Sequence, residues 1–235
     1  MQLFYNPEIN SEIKSFSFDK EESKHIVKVL RKNEGDTLYV TNGLGYLFTT
    51  EIILASDRKC TVNIISSALQ DRPSYTLHLA VAPTKMNDRY EWFLEKATEM
   101  GIQEITPILC DHSERKFIKT DRFDKIIQSA MKQSLQCYLP ILNPPISFNE
   151  FIAQKREGLL CIAHCEETNK KTLKDTITPN TDITILIGPE GDFSEKEITK
   201  ALASDYIPVS LGNTRLRTET AAVVACHSAV FINEN

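Results

Sequence analysis

Three short stretches gather side chains able to hold a charged ligand or move a proton. They are Ala163-His164-Cys165-Glu166-Glu167, the Gly188-Pro189-Glu190-Gly191 of ILIGPEGDFSEKE, and LGNTRLRTETA from Leu211 to Ala221. In the last, Arg215 and Arg217 flank Leu216 and lead into Thr218, Glu219 and Thr220. Forked guanidinium donors suit phosphate or carboxylate partners, and a carboxylate beside them suits proton transfer or orientation. Helix capping by Thr218 or Thr220 and a favourable dipole position for Glu219 account for part of this pattern. They leave the two arginines unexplained. In the middle stretch, Gly188 and Gly191 permit φ > 0 or close approach of a ligand, and Pro189 stiffens the turn. Ser194 and Glu197 form a capping box for the helix that follows. None of this requires Glu190 at the tip. The patterns G-x-x-x-x-G-K and G-x-G-x-x-G are both missing, so this is neither a nucleotide phosphate loop nor a dinucleotide fingerprint.

Each of the three stretches follows an apolar run: GLLCIAH, DITILIG and YIPVSLG. These read as strands, as do YTLHLAVAP and EITPILC. Helical periodicity marks DRYEWFLEKATEMG, RFDKIIQSAMKQSLQC, SEKEITKALAS and TETAAVVACHSAVFI. Strands alternating with helices predict an α/β fold with a largely parallel sheet. Such sheets bind ligands beyond the carboxyl ends of their strands, where all three stretches fall. Residues 1–70 follow a different grammar. Asp19 and Glu22 suggest a capping box for a helix ESKHIVKVLR, with Ile26, Val29 and Leu30 on its apolar side. The strand-like runs TLYVT, GYLFTTEIILA and KCTVNIIS follow, with a hairpin signal at Asn42-Gly43. This predicts a small β-barrel domain over 1–70, a linker over 71–76 and the α/β domain over 77–235.

Of the 235 residues, 41% are hydrophobic and 25% charged, an ordinary balance for a globular protein, and the net charge is −5. That charge argues against broad, non-specific nucleic-acid binding. A local basic island survives at 112–132, where Arg115, Lys116, Lys119, Arg122, Lys125 and Lys132 face three acids. No run is long and apolar enough for a membrane helix, and the N-terminus has no signal pattern, so a cytoplasmic location is expected. Of six cysteines only Cys161 and Cys165 are close, with His164 between them. A metal site needs more ligands than that, so buried free thiols and no metal are expected. His78 and His227 are expected to be packed inside their elements, and Trp92 and Phe93 to serve a core or a dimer surface.

GPEG followed by an aromatic, Ser and Glu, then LG-x-x-x-LRTETA, resembles the SPOUT class of methyltransferases. More closely it resembles the RsmE family, the 16S rRNA (uracil-N3)-methyltransferases. The resemblance extends to His25–Arg31 with Gly35-Asp36, to Lys85 with Glu95–Gly101, to Ser113-Glu114-Arg115, and to Lys132-Gln133-Ser134 with Leu139-Pro140. It departs at Asp192, where the family carries a second glycine, and at Gln136-Cys137, where the family often carries an arginine.

The resemblance implies a PUA-like or OB-like β-barrel joined to a SPOUT α/β domain with a C-terminal trefoil knot, a topology otherwise rare. It implies S-adenosyl-L-methionine as cofactor, held by Gly188, Pro189, Glu190, Gly191, Leu211, Gly212, Leu216, Thr220 and Ala221, with Ala163 and His164 at the edge. It implies a homodimer that methylates a uridine N3 in 16S rRNA, within the assembled small ribosomal subunit. Arg217 would position or stabilise charge, and Glu219 would act as base or orienting group. Lys28, Arg31, Arg115 and Lys116 would contact RNA. The alternatives are a methyltransferase of the same class acting on another RNA or on a ribose 2′-oxygen, and a non-catalytic rRNA-binding assembly factor.

Overall fold

The computed structural model describes residues 1–116, 118, 120–166 and 170–234. Lys119 of the basic island and Glu167 of the first stretch lie outside the described residues. The chain divides into two compact units, Met1–Arg72 with Met131–Leu139, and Pro73–Ala130 with Pro140–Asn235.

The first unit holds β1 (Leu3–Tyr5), β2 (Ser15–Ser17), α1 (Lys20–Lys24), β3 (Thr37–Thr41), β4 (Tyr46–Leu54) and β5 (Thr61–Leu69). The strands form one sheet in the order β1-β3-β4-β5-β2, antiparallel except for β1 with β3. Along β4, Phe48, Thr50 and Ile52 alternate inward, the period of two expected of a sheet with one covered face. Phe48 and Ile52 join Phe4, Phe18, Ile26, Val40 and Val62 in this unit's core, and the Thr50 hydroxyl donates to the Leu38 carbonyl at 3.1 Å. Asp19 caps α1 by accepting from the Glu22 amide at 2.8 Å. The Glu22 carboxylate does not turn back to complete the box; it accepts from Lys132 Nζ at 3.0 Å.

The helix predicted over ESKHIVKVLR is shorter and differently wound. After α1 the chain forms a π-turn over His25–Val29, in which the Leu30 amide donates to the His25 carbonyl at 2.9 Å. The extra residue in that turn breaks the 3.6 period. Ile26 stays buried while Val29 rotates out to 67% exposure, against the expectation for it.

The second unit holds β6 (Leu77–Val81), α2 (Asn87–Glu99), β7 (Glu104–Leu109), most of α3 (Asp121–Gln133), β8 (Ile141–Leu142), β9 (Ile146–Ser147) and α4 (Phe148–Ile152). These are followed by β10 (Leu159–Ala163), β11 (Lys171–Thr172), α5 (Leu173–Thr176), β12 (Ile183–Ile187), α6 (Glu195–Ala203), β13 (Ile207–Ser210) and α7 (Thr218–Asn233). The sheet order is β11-β13-β10-β12-β6-β7-β8, and every pair is parallel. β6 and β12 are buried at every position, as expected for strands covered on both faces. Phe148, Phe151, Phe193 and Ile198 pack over Ala80, Ile108, Ile162 and Leu186. α7 packs on β6 and β12 beside α2.

Register decides where the loops go. Ala163 pairs with both Ile187 and Val209, so β10, β12 and β13 finish level with one another. The loops that follow them therefore leave the sheet at one height. β12 lies between β6 and β10, although β10 precedes it in the chain.

All six cysteines are free, and only Cys165 is exposed. His78 is buried, as expected. His227 is not; it is exposed and stacks on Phe231 with ring centroids 5.8 Å apart. Phe93 is core and Trp92 is 42% exposed. No helix among the described residues is long and apolar enough to cross a membrane.

Candidate active site

The Gly188–Asp192 turn is held from four sides. The Lys85 amide, beyond β6, donates to Glu190 Oε1 at 2.9 Å. Beyond β7, His112 Nδ1 lies 3.0 Å from the Gly191 carbonyl and 3.1 Å from that of Asp192. The Cys165 amide, beyond β10, donates to Asp192 Oδ2 at 2.7 Å. The Thr218 hydroxyl of α7 donates to the Gly188 carbonyl at 3.0 Å. α6 is fixed on the far side of the turn by the capping box of Ser194 and Glu197, and the second Glu197 oxygen accepts from the Asp111 amide at 2.9 Å.

Neither glycine of this turn has a left-handed φ, and protein packs closely against both. A Cβ on Gly188 would stand 3.1 Å from the Phe193 ring, and one on Gly191 would stand 3.0 Å from His112 Cβ. The left-handed position belongs to Asp192, at φ 62°. Aspartate tolerates that region better than most side chains, and Asp192 Oδ1 accepts from the Phe193 amide at 2.8 Å.

Beside the turn lies a hollow of ≈ 340 Å³, walled by Gly188, Pro189 and Glu190 from one loop, Arg215 to Thr218 and Ala221 from another, and Ala163 and Cys165 from the third. A second hollow of ≈ 460 Å³ is lined by His164, Lys170, Val209 to Leu216 and Ala221. The two share Ala163, Cys165, Asp192, Arg215, Leu216 and Ala221. All three stretches singled out in the sequence thus meet at one place. Several polar atoms there are incomplete among the described residues. Glu190 Oε2 and both ring nitrogens of His164 are buried without a hydrogen-bond partner. Burial pushes the His164 pKa down, with Lys170 acting in the same sense and Asp192 opposing it.

Comparison with known proteins fits this geometry. An RNA methyltransferase domain model matches residues 71–230, and an RNA methyltransferase PUA domain model matches residues 18–65. A ribosomal RNA small subunit methyltransferase E from Rickettsia conorii is 32% identical, over 86% of this chain and 83% of its own length. The chain belongs to the ribosomal RNA small subunit methyltransferase E family. The member of this family from Neisseria gonorrhoeae, solved bound to S-adenosyl methionine, superposes with a TM-score of 0.86 at 26% identity, covering 99% of this chain and 98% of that one. A structure described as a probable rRNA-methyltransferase from Porphyromonas gingivalis superposes at 0.93 with 38% identity, over 100% and 99% of the two chains. In this family member the α/β unit carries the methyltransferase match and the N-terminal region the PUA match.

Of the residues expected to line a cofactor site, Ala163, Gly188, Pro189, Glu190, Leu216 and Ala221 border the first hollow. His164, Leu211 and Gly212 border the second. Gly191 and Thr220 border neither. Cys165, Asp192 and Lys170 do, and had not been singled out for it; only the distance in sequence between 165, 170 and 192 hid their convergence. Arg217 is exposed and lines the first hollow. It occupies the cap position of α7, so neither Thr218 nor Thr220 caps that helix. Thr218 already begins the helix, and its hydroxyl is committed to the Gly188 carbonyl.

Glu219 is buried and lines neither hollow. Its Oε1 lies 3.8 Å from Arg89 Nε, and its Oε2 has no partner among the described residues. Arg31 and Lys116 are exposed, and Arg115 is half-buried. Lys28 is exposed and 3.6 Å from Asp57. Within the basic island, Arg122 is committed to Glu91 at 2.7 Å and Lys132 to Glu22 at 3.0 Å.

Proposed function

We propose that this chain binds S-adenosyl-L-methionine across the two joined hollows and methylates N3 of a uridine in 16S rRNA of the small ribosomal subunit, as a cytoplasmic homodimer. One observation carries the proposal: the loops after β10, β12 and β13 wall a common space, in a family whose Neisseria gonorrhoeae member is bound to S-adenosyl methionine. The donor set fits such a molecule. It offers both signs of charge, with Asp192 and Glu190 against Arg215 and Lys170, and unsatisfied acceptors at Glu190 Oε2 and His164. Such orphaned groups cost about 1–3 kcal/mol each until something completes them. Residues 188–190, 211–212, Leu216 and Ala221 would hold the cofactor, with Ala163 and His164 at its edge. When bound, S-adenosylmethionine supplies an electrophilic methyl group carried on a sulfonium.

The protein's own task is then to make a uridine nitrogen nucleophilic. N3 carries a proton at neutral pH, so the chain must take that proton or stabilise the pyrimidine anion, which is worth roughly 10²–10⁴-fold for a positioned group. Arg217 stands exposed beside the first hollow and would stabilise the pyrimidine anion left once the N3 proton has passed to solvent water. Glu219 acts as an orienting group, because its carboxylate is turned to Arg89 and away from both hollows. The target base leaves its stack to reach the site. Lys28 and Arg31 of the first unit, and Arg115 and Lys116 of the second, bind phosphates; the exposed Lys28–Asp57 pair is of the kind worth little by itself and is readily exchanged. α7 runs TETAAVVACHSAVFIN, apolar nearly all round, and leaves Phe231 62% exposed. A helix of that kind needs cover on its outer side, which a second copy supplies. The knotted connection rests on the family alone.

The test is to incubate the protein with small ribosomal subunits and methyl-labelled S-adenosylmethionine, then digest the rRNA to nucleosides. Label in N3-methyluridine is expected; label in a ribose-methylated nucleoside, or no incorporation, overturns the assignment. Arg217→Ala should lower kcat/KM by about 10²-fold or more while leaving cofactor affinity within twofold.

A further inference from the structure

Asp192 places a carboxylate at the seam of the two hollows, where the cofactor site proposed above would need to distinguish a cation from a neutral molecule. Its side chain is fixed at both oxygens: Oδ1 accepts from the Phe193 amide at 2.8 Å and Oδ2 from the Cys165 amide at 2.7 Å. Each oxygen retains acceptor capacity, since a carboxylate offers about four lone-pair sites. The group is half-buried and borders both hollows. The left-handed φ of 62° holds its backbone in place as well, so the charge does not swing away when a ligand arrives. The other charged groups bordering the same space are Glu190 and Arg217 on the first hollow, Lys170 on the second, and Arg215 on both.

We propose that Asp192 is a specificity-determining residue that favours the sulfonium donor over its demethylated thioether product, and so promotes product release. The inference rests on the cofactor reading above. The physical argument is a subtraction. S-adenosylmethionine and S-adenosylhomocysteine share adenosine, α-ammonium and carboxylate, and differ at sulfur by one methyl group and one positive charge. Contacts common to both cancel in the ratio of their affinities. The attraction of a fixed carboxylate bordering the site for a sulfonium does not cancel, because Coulomb attraction acts on only one of the two. Asp192 also ties the loop after β10 to the turn after β12. Loss of that tie moves both affinities together and leaves their ratio alone.

The experiment is calorimetric titration of the full-length protein with each ligand separately. The proteins are the parent chain, Asp192→Asn and Asp192→Gly, both of which accept a left-handed φ and preserve the turn. Each variant should lower the donor-to-product affinity ratio by about tenfold, the scale of one charge interaction of some 1.4 kcal/mol. A ratio within twofold of the parent in both variants, with both ligands still bound, overturns the role of Asp192 and leaves the cofactor site standing. A parent chain that binds neither ligand overturns the cofactor site and this inference with it.

Discussion

His78, inside the parallel sheet, and His164, just beyond the end of one of its strands, are both more than nine-tenths buried, and they are partnered in opposite ways. His78 sits near the amino ends of the strands. Arg156 Nη1 donates to its Nδ1 at 3.0 Å, and its Nε2 lies 2.8 Å from Thr106 Oγ1. Because an arginine only donates, Nδ1 must accept and Nε2 carries the proton to Thr106. Asn143 extends the network by donating to Thr106 Oγ1 and Glu104 Oε1, and the Arg156 guanidinium lies 4.2 Å over the Phe151 ring. His164 follows the carboxyl end of β10, and neither of its ring nitrogens has a partner among the described residues. Both ends of the sheet are polar. At the amino end both ring nitrogens of the histidine have protein partners, although a hollow of ≈ 380 Å³ lies beside the cluster and Arg156 Nε is buried there without a partner; at the carboxyl end neither ring nitrogen has a partner among the described residues. What separates the two ends is therefore how each histidine is partnered, since polarity, a hollow and an orphaned polar atom occur at both.

The largest effect should come from breaking the closed network. His78→Ala leaves a void and strips partners from Thr106 and Arg156, so it should destabilise the fold by about 3–4 kcal/mol. Urea unfolding measures that loss, and the affinity of the folded fraction for S-adenosylmethionine should stay within twofold. A stability change below about 1 kcal/mol would mean that the amino-end cluster is not the structural one.

The same histidine gives a pH signature about half as large. Burial, with the nearby Arg156 charge second, pushes His78 down from 6.5 to about 3. The folded protein thus keeps it neutral while the unfolded chain takes up a proton below pH 6.5. Its stabilising contribution is complete above pH 6.5 and is lost as pH falls from there toward 3, with a slope of about 1.4 kcal/mol per pH unit. Between pH 6.5 and 5 the loss is about 2 kcal/mol. Comparing urea midpoints of the parent and His78→Gln at the two pH values isolates it, since the variant lacks the titrating group. Equal pH dependence in both proteins would reassign the acid sensitivity to other groups.

The contrast between the two ends was only partly visible in the sequence. The long elements were legible because their patterns are strong: ITILI and LHLAV are apolar but for Thr184 and His78, and the α6 capping box is written in Ser194 and Glu197. The three loops that meet at the hollows were legible because arginine, glycine and carboxylate cluster there beyond what a turn needs. β1, β2, β8, β9, β11 and α5 span two to four residues, too few for any period to show. α4 was announced by Ser147 and Glu150, whose capping box was passed over. Val29 misled because a π-turn is a local geometric accident with no residue signature. Glu219 was legible only in part: its position at a helix start is plain, whereas its direction toward Arg89 depends on how α2 packs beside α7. The convergence of Cys165, Lys170 and Asp192 required the level ends of β10, β12 and β13, and register is a property of pairing between strands that no single stretch contains.

The smallest stability effect should belong to the other histidine, and it decides whether the two ends really differ. His164→Ala removes a side chain that borders an open hollow. No enclosed void is created, and among the described residues no hydrogen-bond partner is abandoned. Stability should therefore change by less than about 1 kcal/mol, well under the cost of the equivalent change at His78. Cofactor affinity should fall by about fivefold, the value of one hydrogen bond of roughly 1 kcal/mol that the ligand makes to an imidazole held neutral by burial. His164→Gln keeps a donor and an acceptor near the same place and should recover part of that affinity. Thermal or urea unfolding reads the first quantity and calorimetry the second. If His164→Ala instead costs as much stability as His78→Ala and leaves cofactor binding untouched, the carboxyl-end histidine is a structural group like its counterpart, and the division of the sheet into a completed end and a waiting end is wrong.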